Sequence, residues 1–176
     1  SVDSTFAVLS SSSGGSSETD FTVQGLRFLP VSAASFQMGS PENENGRQPH
    51  PDSGGGTESH EGAFSATLMQ DYFLSETEVP RGLFHQYFED DGAGYSNCLD
   101  DDCPAQFLSW HMAAGFTVYL SELEGLEPCY ECQGDGRDVL CAPLSTGSAI
   151  YECEGYRLPT EAEALRSHGE VMVRSW

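Results

Sequence analysis

The sequence predicts a loop-rich α+β domain, with small antiparallel sheets and two or three helices. Three observations carry this. Apolar residues make up 38% of the 176, and ten Phe, seven Tyr and two Trp suffice for one core. Nineteen Gly and nine Pro cut the chain into short elements joined by many loops. Strand patterns precede residue 77, and helical spacing of apolar residues follows Pro80.

Residues 1–20 read as a linker, because Ser10 to Ser17 contains only Ser and Gly. Such a tether ahead of a domain suits a lipid anchor upstream of residue 1; a terminus without a role is the plain alternative. The domain proper is expected over 21–163, with 164–176 as an atypical tail. Leu26, Phe28, Leu29 and Val31 suggest a strand that Pro30 places at an edge. Ser35 to Gly39 reads as its partner. Ser40 to Gly62 is polar, rich in Gly, Asn and Pro, and reads as one long loop. Ala63 to Leu68 and Tyr72 to Thr77 read as two more strands. Pro80 suits the first turn of a helix whose apolar face is Leu83, Phe84, Tyr87 and Phe88. Ser109 is the expected N-cap of a second helix, buried through Trp110, Ala113, Ala114, Phe116, Thr117, Leu120 and Leu123 and ended by Gly125. Glu127 to Glu154 is loop-like. Thr160 and Glu163 form a capping box for a third helix, which His168-Gly169 is expected to stop within about two turns.

Charge and cysteine content narrow the function. Twenty-eight acidic residues face seven Arg and no Lys, for a formal net charge of −21. That surface repels phosphate backbones and anionic lipid, so no nucleic-acid partner is expected. The excess acid suits divalent cations, a salty medium or simple solubility, and solubility is favoured. The runs Glu89–Asp91 and Asp100–Asp102 lack the alternating oxygen ligands of a calcium loop and read as solvated turns. No run of about 18 apolar residues exists to form a transmembrane helix.

Cys98, Cys103, Cys129, Cys132, Cys141 and Cys153 form an even set. Cys129-Tyr-Glu-Cys132 admits a redox pair or half a zinc site. The second close pair that zinc needs is missing, and Gly134-Asp135-Gly136 stands where a redox helix would begin. Structural disulfides are favoured, which implies a secreted, periplasmic or cell-surface location. Cys98 is expected to pair with Cys103. The other four allow three connectivities, with Cys132–Cys141 nested inside Cys129–Cys153 preferred. His50 and His60, with Glu58 and Glu61, share the long loop; a solvated loop is favoured there over a surface metal site. His85, His111 and His168 stand singly. Gly54-Gly55-Gly56 lacks the Lys and helix start of a phosphate cradle.

Gly155-Tyr156-Arg157-Leu158-Pro159-Thr160-Glu161-Ala162-Glu163 resembles the GYRLPTEAEW signature of the formylglycine-generating-enzyme, or sulfatase-modifying-factor, family. Other landmarks of that family stand upstream in the same order. Phe36-Gln37-Met38-Gly39-Ser40 is similar to its F-x-M-G-S turn, and Asp71 to Val79 to its D-F-Y-L-x-x-T-E-V segment. Cys103-Pro104 followed by Ser109-Trp110 is similar to its C-P-V…S-W helix entry. The resemblance covers roughly residues 26 to 163.

This resemblance implies a loop-rich fold related to C-type lectins, often supported by calcium. It implies a family chemistry in which copper and oxygen convert a substrate cysteine to formylglycine. The family's catalytic cysteines lie well beyond the signature, and thirteen residues follow Glu163 here, so no residue inherits a catalytic role. Ala164 replaces the signature Trp, Met112 an Asp and Pro80 a capping Thr. The tail after Glu163 reads as sequence of another source. The expectation is therefore an incomplete, inactive, exported domain of this family. The alternative is a non-catalytic module that binds a protein or glycan on the same scaffold. For Arg157 a structural role is favoured over ligand binding, with Glu161 or Glu163 as candidate partners.

Overall fold

The computed structural model describes residues 6–10, 19–39, 62–88 and 98–171, with backbone alone over 167–171. Two compact units arise: Ser1–Ser32 with Gln70–Thr160, and Ala33–Met69 with Glu161–Trp176. The elements are β1 (Val8–Ser10), β2 (Phe21–Val23), β3 (Leu26–Val31), β4 (Ala34–Met38), β5 (Phe64–Leu68), β6 (Tyr72–Ser75), α1 (Arg81–Phe84), α2 (Trp110–Leu123), β7 (Tyr130–Gln133), β8 (Leu140–Pro143), β9 (Tyr156–Arg157) and α3 (Glu161–Val171). The 3-10 turns Gly136–Asp138 and Gly147–Glu152 lie around β8. The protein is thus a mixed α+β molecule of short antiparallel strands and few helices. Outside the described residues lie His50, Glu58, His60, Glu61, the Gly54–Gly56 run, Glu89–Asp91 and most of the Ser/Gly stretch.

The first unit carries a five-stranded antiparallel sheet in the order β2-β3-β6-β1-β9. Gln24 and Gly25 link β2 to β3 with φ of 50° and 83°. A two-residue loop with both φ positive matches the right-handed twist of its flanking strands. All four residues of β6 are buried, as befits a strand with neighbours on either side. Phe21 stacks on Phe28 at 5.0 Å and takes the edge of Phe73 at 4.9 Å, while Tyr156 lies 5.3 Å from Phe28. Such ring pairs add about 0.5–1.5 kcal/mol beyond burial.

Three expectations are corrected here. Regular structure begins before Phe21, because Val8–Ser10 pairs with β6 on one flank and β9 on the other. Its pairing comes from strands distant in sequence, so no local pattern announces it. Pro30 does not put β3 at an edge. β2 pairs only with Leu26 to Phe28, so Pro30 lies past the end of that neighbour and no β2 residue faces it. Nor does residue 35–39 chain pair with β3; β4 pairs with β5.

α2 follows its sequence signals at both ends. Ser109 Oγ accepts the Met112 N–H at 3.1 Å. At the other end Gly125 has φ 70°, its N–H donates to Glu122 O at 3.2 Å, and Leu126 N–H donates to Ser121 O at 2.8 Å. These two bonds are the Schellman closure. Met112, Ala113, Ala114, Phe116, Thr117 and Leu120 are buried, but Trp110 and Leu123 are exposed, contrary to the expected stripe. They occupy the first and last turns, where the helix outruns its support. α1 is one turn long and continues as hydrogen-bonded turns, enough to bring Phe84 and Phe88 within 5.1 Å and Phe84 to Phe116 within 5.4 Å.

The second unit is a hairpin and a helix. The β4–β5 register sets Ala34, Phe36 and Met38 opposite Leu68, Ala66 and Phe64 on one face. On the other face Ser35 and Thr67 share a hydroxyl hydrogen bond of 2.8 Å. α3 packs against both strands. It starts at Glu161, directly after Thr160, and runs through His168 and Gly169 to Val171, longer than expected. One interior glycine costs a helix about 1 kcal/mol, which weakens it without ending it.

Candidate functional site

The signature stretch builds a junction. A Cβ on Gly155 would collide with the Glu127 carbonyl oxygen and come within 2.9 Å of Ser121 Oγ. Glycine is needed there for close approach of two backbones. The next residue, Tyr156, donates its N–H to Ser121 Oγ at 2.8 Å, and that hydroxyl donates to Thr117 O at 2.8 Å. Leu158 N–H donates to Tyr130 Oη at 3.1 Å. Tyr151 Oη and Thr160 Oγ1 lie 3.4 Å apart, beside Pro159. β9 is thereby fixed to α2 and β7.

Arg157 is 1% exposed. Its guanidinium carbon lies 5.3 Å from the Tyr151 ring centre, Nη1 donates to Leu158 O at 3.3 Å and Nη2 to Ser10 Oγ at 3.5 Å. All of these are groups of the scaffold. Glu163, in α3 of the second unit, is also 1% exposed, while Glu161 faces solvent.

All six cysteines are in disulfides: Cys98–Cys103, Cys129–Cys153 and Cys132–Cys141. Of the three connectivities open to the last four, the structure takes the nested one. Cys129 and Cys132 do not pair with each other, which ends the redox-pair alternative. Three disulfides are consistent with an oxidising, extracytoplasmic compartment. Cys132 and Cys141 face each other across the β7–β8 hairpin. His111 joins that hairpin to the first turn of α2: its Nδ1 accepts the Cys141 N–H at 3.0 Å.

The Cys98–Cys103 loop packs on α1. Arg81 donates to Leu99 O at 2.6 Å and lies 3.8 Å from Asp101, and Gly82 N–H donates to Asp101 O at 2.9 Å. Among the described residues no three His, Cys, Asp or Glu gather as a metal site. The described residues also hold no helix long and apolar enough to cross a membrane.

Two aromatic side chains at the start of α2 are exposed. Phe107, just before the cap of α2, has φ 57° and is 43% exposed. A bulky non-glycine residue in the left-handed region is strained, by an amount on the order of 1–2 kcal/mol. Trp110, three residues on, is 41% exposed; it meets His111 edge-on at 5.2 Å and Tyr130 at 5.5 Å. Nothing in the residue types at 107 to 110 signals the strain, so sequence reasoning assigns Trp110 to the core and passes over Phe107. Burial, followed by the charge of Glu124, raises the Tyr156 phenol, and burial, followed by Glu122, raises that of Tyr87. Both phenols therefore stay protonated and neither supplies a base.

Geometry and fold together define a disulfide-stapled, antiparallel α+β domain with an aromatic surface at the entrance of its main helix. No family profile and no curated protein matches the chain. Among solved structures the chain is similar to Treponema denticola variable protein 1. The TM-score is 0.51 and the identity 23%, over 82% of this chain and 54% of that one. The chain spans about half the length of that protein, and at this identity the likeness concerns the fold alone.

Proposed function

We propose that this chain is an exported recognition domain, built on the scaffold of the formylglycine-generating-enzyme family and related in fold to C-type lectins. It binds a protein partner through the surface around Phe107 and Trp110. The observation that carries this is the strained, exposed Phe107 three residues before the exposed Trp110. Strain of this kind persists only where surrounding structure holds it, and it gathers at binding sites. Large aromatic side chains are enriched among residues that dominate binding energy. The net charge of −21 favours a neutral or basic partner.

The scaffold assignment is supported by the ordered motifs and by where they fall. F-x-M-G lies in β4 and its turn, D-Y-F-L enters β6, S-W opens α2, and the signature forms β9 and the start of α3. The second reading is the family oxidation itself, and the absence of a free thiol in this chain speaks against its cysteines performing it.

The test is capture from an extracytoplasmic protein library and a glycan array, with Phe107→Ala and Trp110→Ala beside the parent chain. One protein partner whose affinity falls by at least about tenfold in Trp110→Ala, at unchanged thermal stability, is the expected result. A glycan held by the same residues would replace the partner class. Aldehyde formation on a cysteine peptide, with copper and oxygen supplied, would overturn the reading in favour of the oxidase.

A further inference from the structure

β1 enters its sheet as an insert. It is hydrogen-bonded on both flanks, to β6 through Val8, Leu9 and Ser10 and to β9 through Val8 and Leu9. Ala7 and Val8 have no exposed surface. Ala7 donates its N–H to Ser75 Oγ at 3.2 Å and accepts the Ser75 N–H at 3.0 Å, and Ser10 Oγ receives Arg157 Nη2 at 3.5 Å. Lifted out, this strand leaves β6 and β9 as two facing edges. Their unpaired backbone would be a template for another strand.

Residues 11–20 join β1 to β2, and seven of these ten are Ser or Gly. The strand is held by its pairing with β6 and β9 and by the packing of Ala7 and Leu9 on the core, and every one of these contacts can form with β1 of either copy. We infer that β1 is an exchangeable strand, and that the slot between β6 and β9 accepts β1 of a second copy of this chain. The occupant is set by the fit. The slot encloses Ala7 and Val8 completely and brings the Ser10 hydroxyl to Arg157. A second copy presents that series in register. The contacts are identical in either arrangement, so the balance depends on chain concentration alone. Ser/Gly connections hold a tethered segment at effective concentrations in the millimolar range, so at about 0.1 mM roughly a tenth of the chains exchange strands. Three residues are also little to open.

The experiment uses the full chain, unlabelled and nitrogen-15-labelled in equal amounts, with the photoreactive residue p-benzoylphenylalanine replacing Leu9. The two are unfolded with disulfides intact, refolded together, irradiated and digested. The expected result is cross-links from the Leu9 peptide to the β6 or β9 peptide that join light to heavy chains. About one in twenty should be mixed near 0.1 mM, falling in proportion on dilution before refolding. Purely light–light and heavy–heavy cross-links at every concentration would overturn the inference, as would mixed cross-links that map outside the slot. Native mass spectrometry of the unsubstituted chains guards against a probe that cannot enter. Light–heavy dimers growing with refolding concentration, and lost in Val8→Asp, support exchange, and their absence up to about 1 mM overturns it.

Discussion

Tyr156 shows how one residue of the signature couples packing to pH. Its ring sits against Phe28 and its N–H on Ser121, and burial raises its phenol above the usual value. The sign follows from proton linkage. The folded phenol keeps its proton where the unfolded one, near pH 10, has lost it. Stability from this source is complete below about pH 10 and declines as pH rises toward the higher folded value. Tyr87, raised in the same direction, adds to the decline. Denaturant titrations between about pH 8 and 11 should show the fall, and Tyr156→Phe should make it shallower while leaving neutral-pH stability within about 1.5 kcal/mol. An equally steep fall in that variant would remove Tyr156 as the cause. Gly155 and Ser121 belong to the same junction, and they explain physically why a Gly-Tyr pair stands there. Only glycine fits against the Glu127 carbonyl, and the serine hydroxyl both receives and donates a hydrogen bond.

Elements differ in how much of them is legible in the chain. Ser109 and Gly125 mark the ends of α2 because caps are local chemistry, written within four residues of one another. Four cysteines allow three connectivities, and the nested one preferred on the sequence is the one that forms. β1 was not readable, since its partners are β6 and β9 and its neighbours in sequence are serines. The β4–β5 pairing was missed because a 25-residue interval separates the strands, longer than hairpin loops run. Phe107 was missed because a positive φ leaves no mark on residue type. The β2–β3 turn offers a test at this scale. Gln24 occupies a left-handed position that suits Asn or Gly better. Gln24→Asn should raise unfolding free energy by about 0.5–1 kcal/mol, read as a higher chemical-denaturation midpoint at constant slope. A lower midpoint would mean that the Gln side chain makes a contact worth more than the strain.

Across the molecule, 28 acidic groups and seven Arg leave repulsion that no local pairing offsets. The described ion pairs, Arg27 with Asp20 and Glu76 and Arg81 with Asp101, are exposed on at least one side, and such pairs contribute little. Cross-linking by three disulfides opposes the resulting expansion by restricting the unfolded chain, at about 2–4 kcal/mol for a typical bridge. Salt should therefore stabilise the fold by screening. Raising ionic strength from about 0.01 to 0.15 M shortens the screening length from roughly 30 to 8 Å and should raise the melting temperature by several degrees. An unchanged or lower melting temperature would show that attractive pairs outweigh the net repulsion.

The order of strands in the sheet also sets a clock for biosynthesis. β6 is made early, but β9 follows it by 81 residues, a delay of roughly 4–16 s at ordinary elongation rates. For that interval β1 lacks its second neighbour, and Tyr72, Phe73 and Leu74 belong to a sheet still open along one side. A nascent chain in this condition carries an open strand edge, a template for wrong pairing, until Tyr156 and Arg157 arrive to close the sheet.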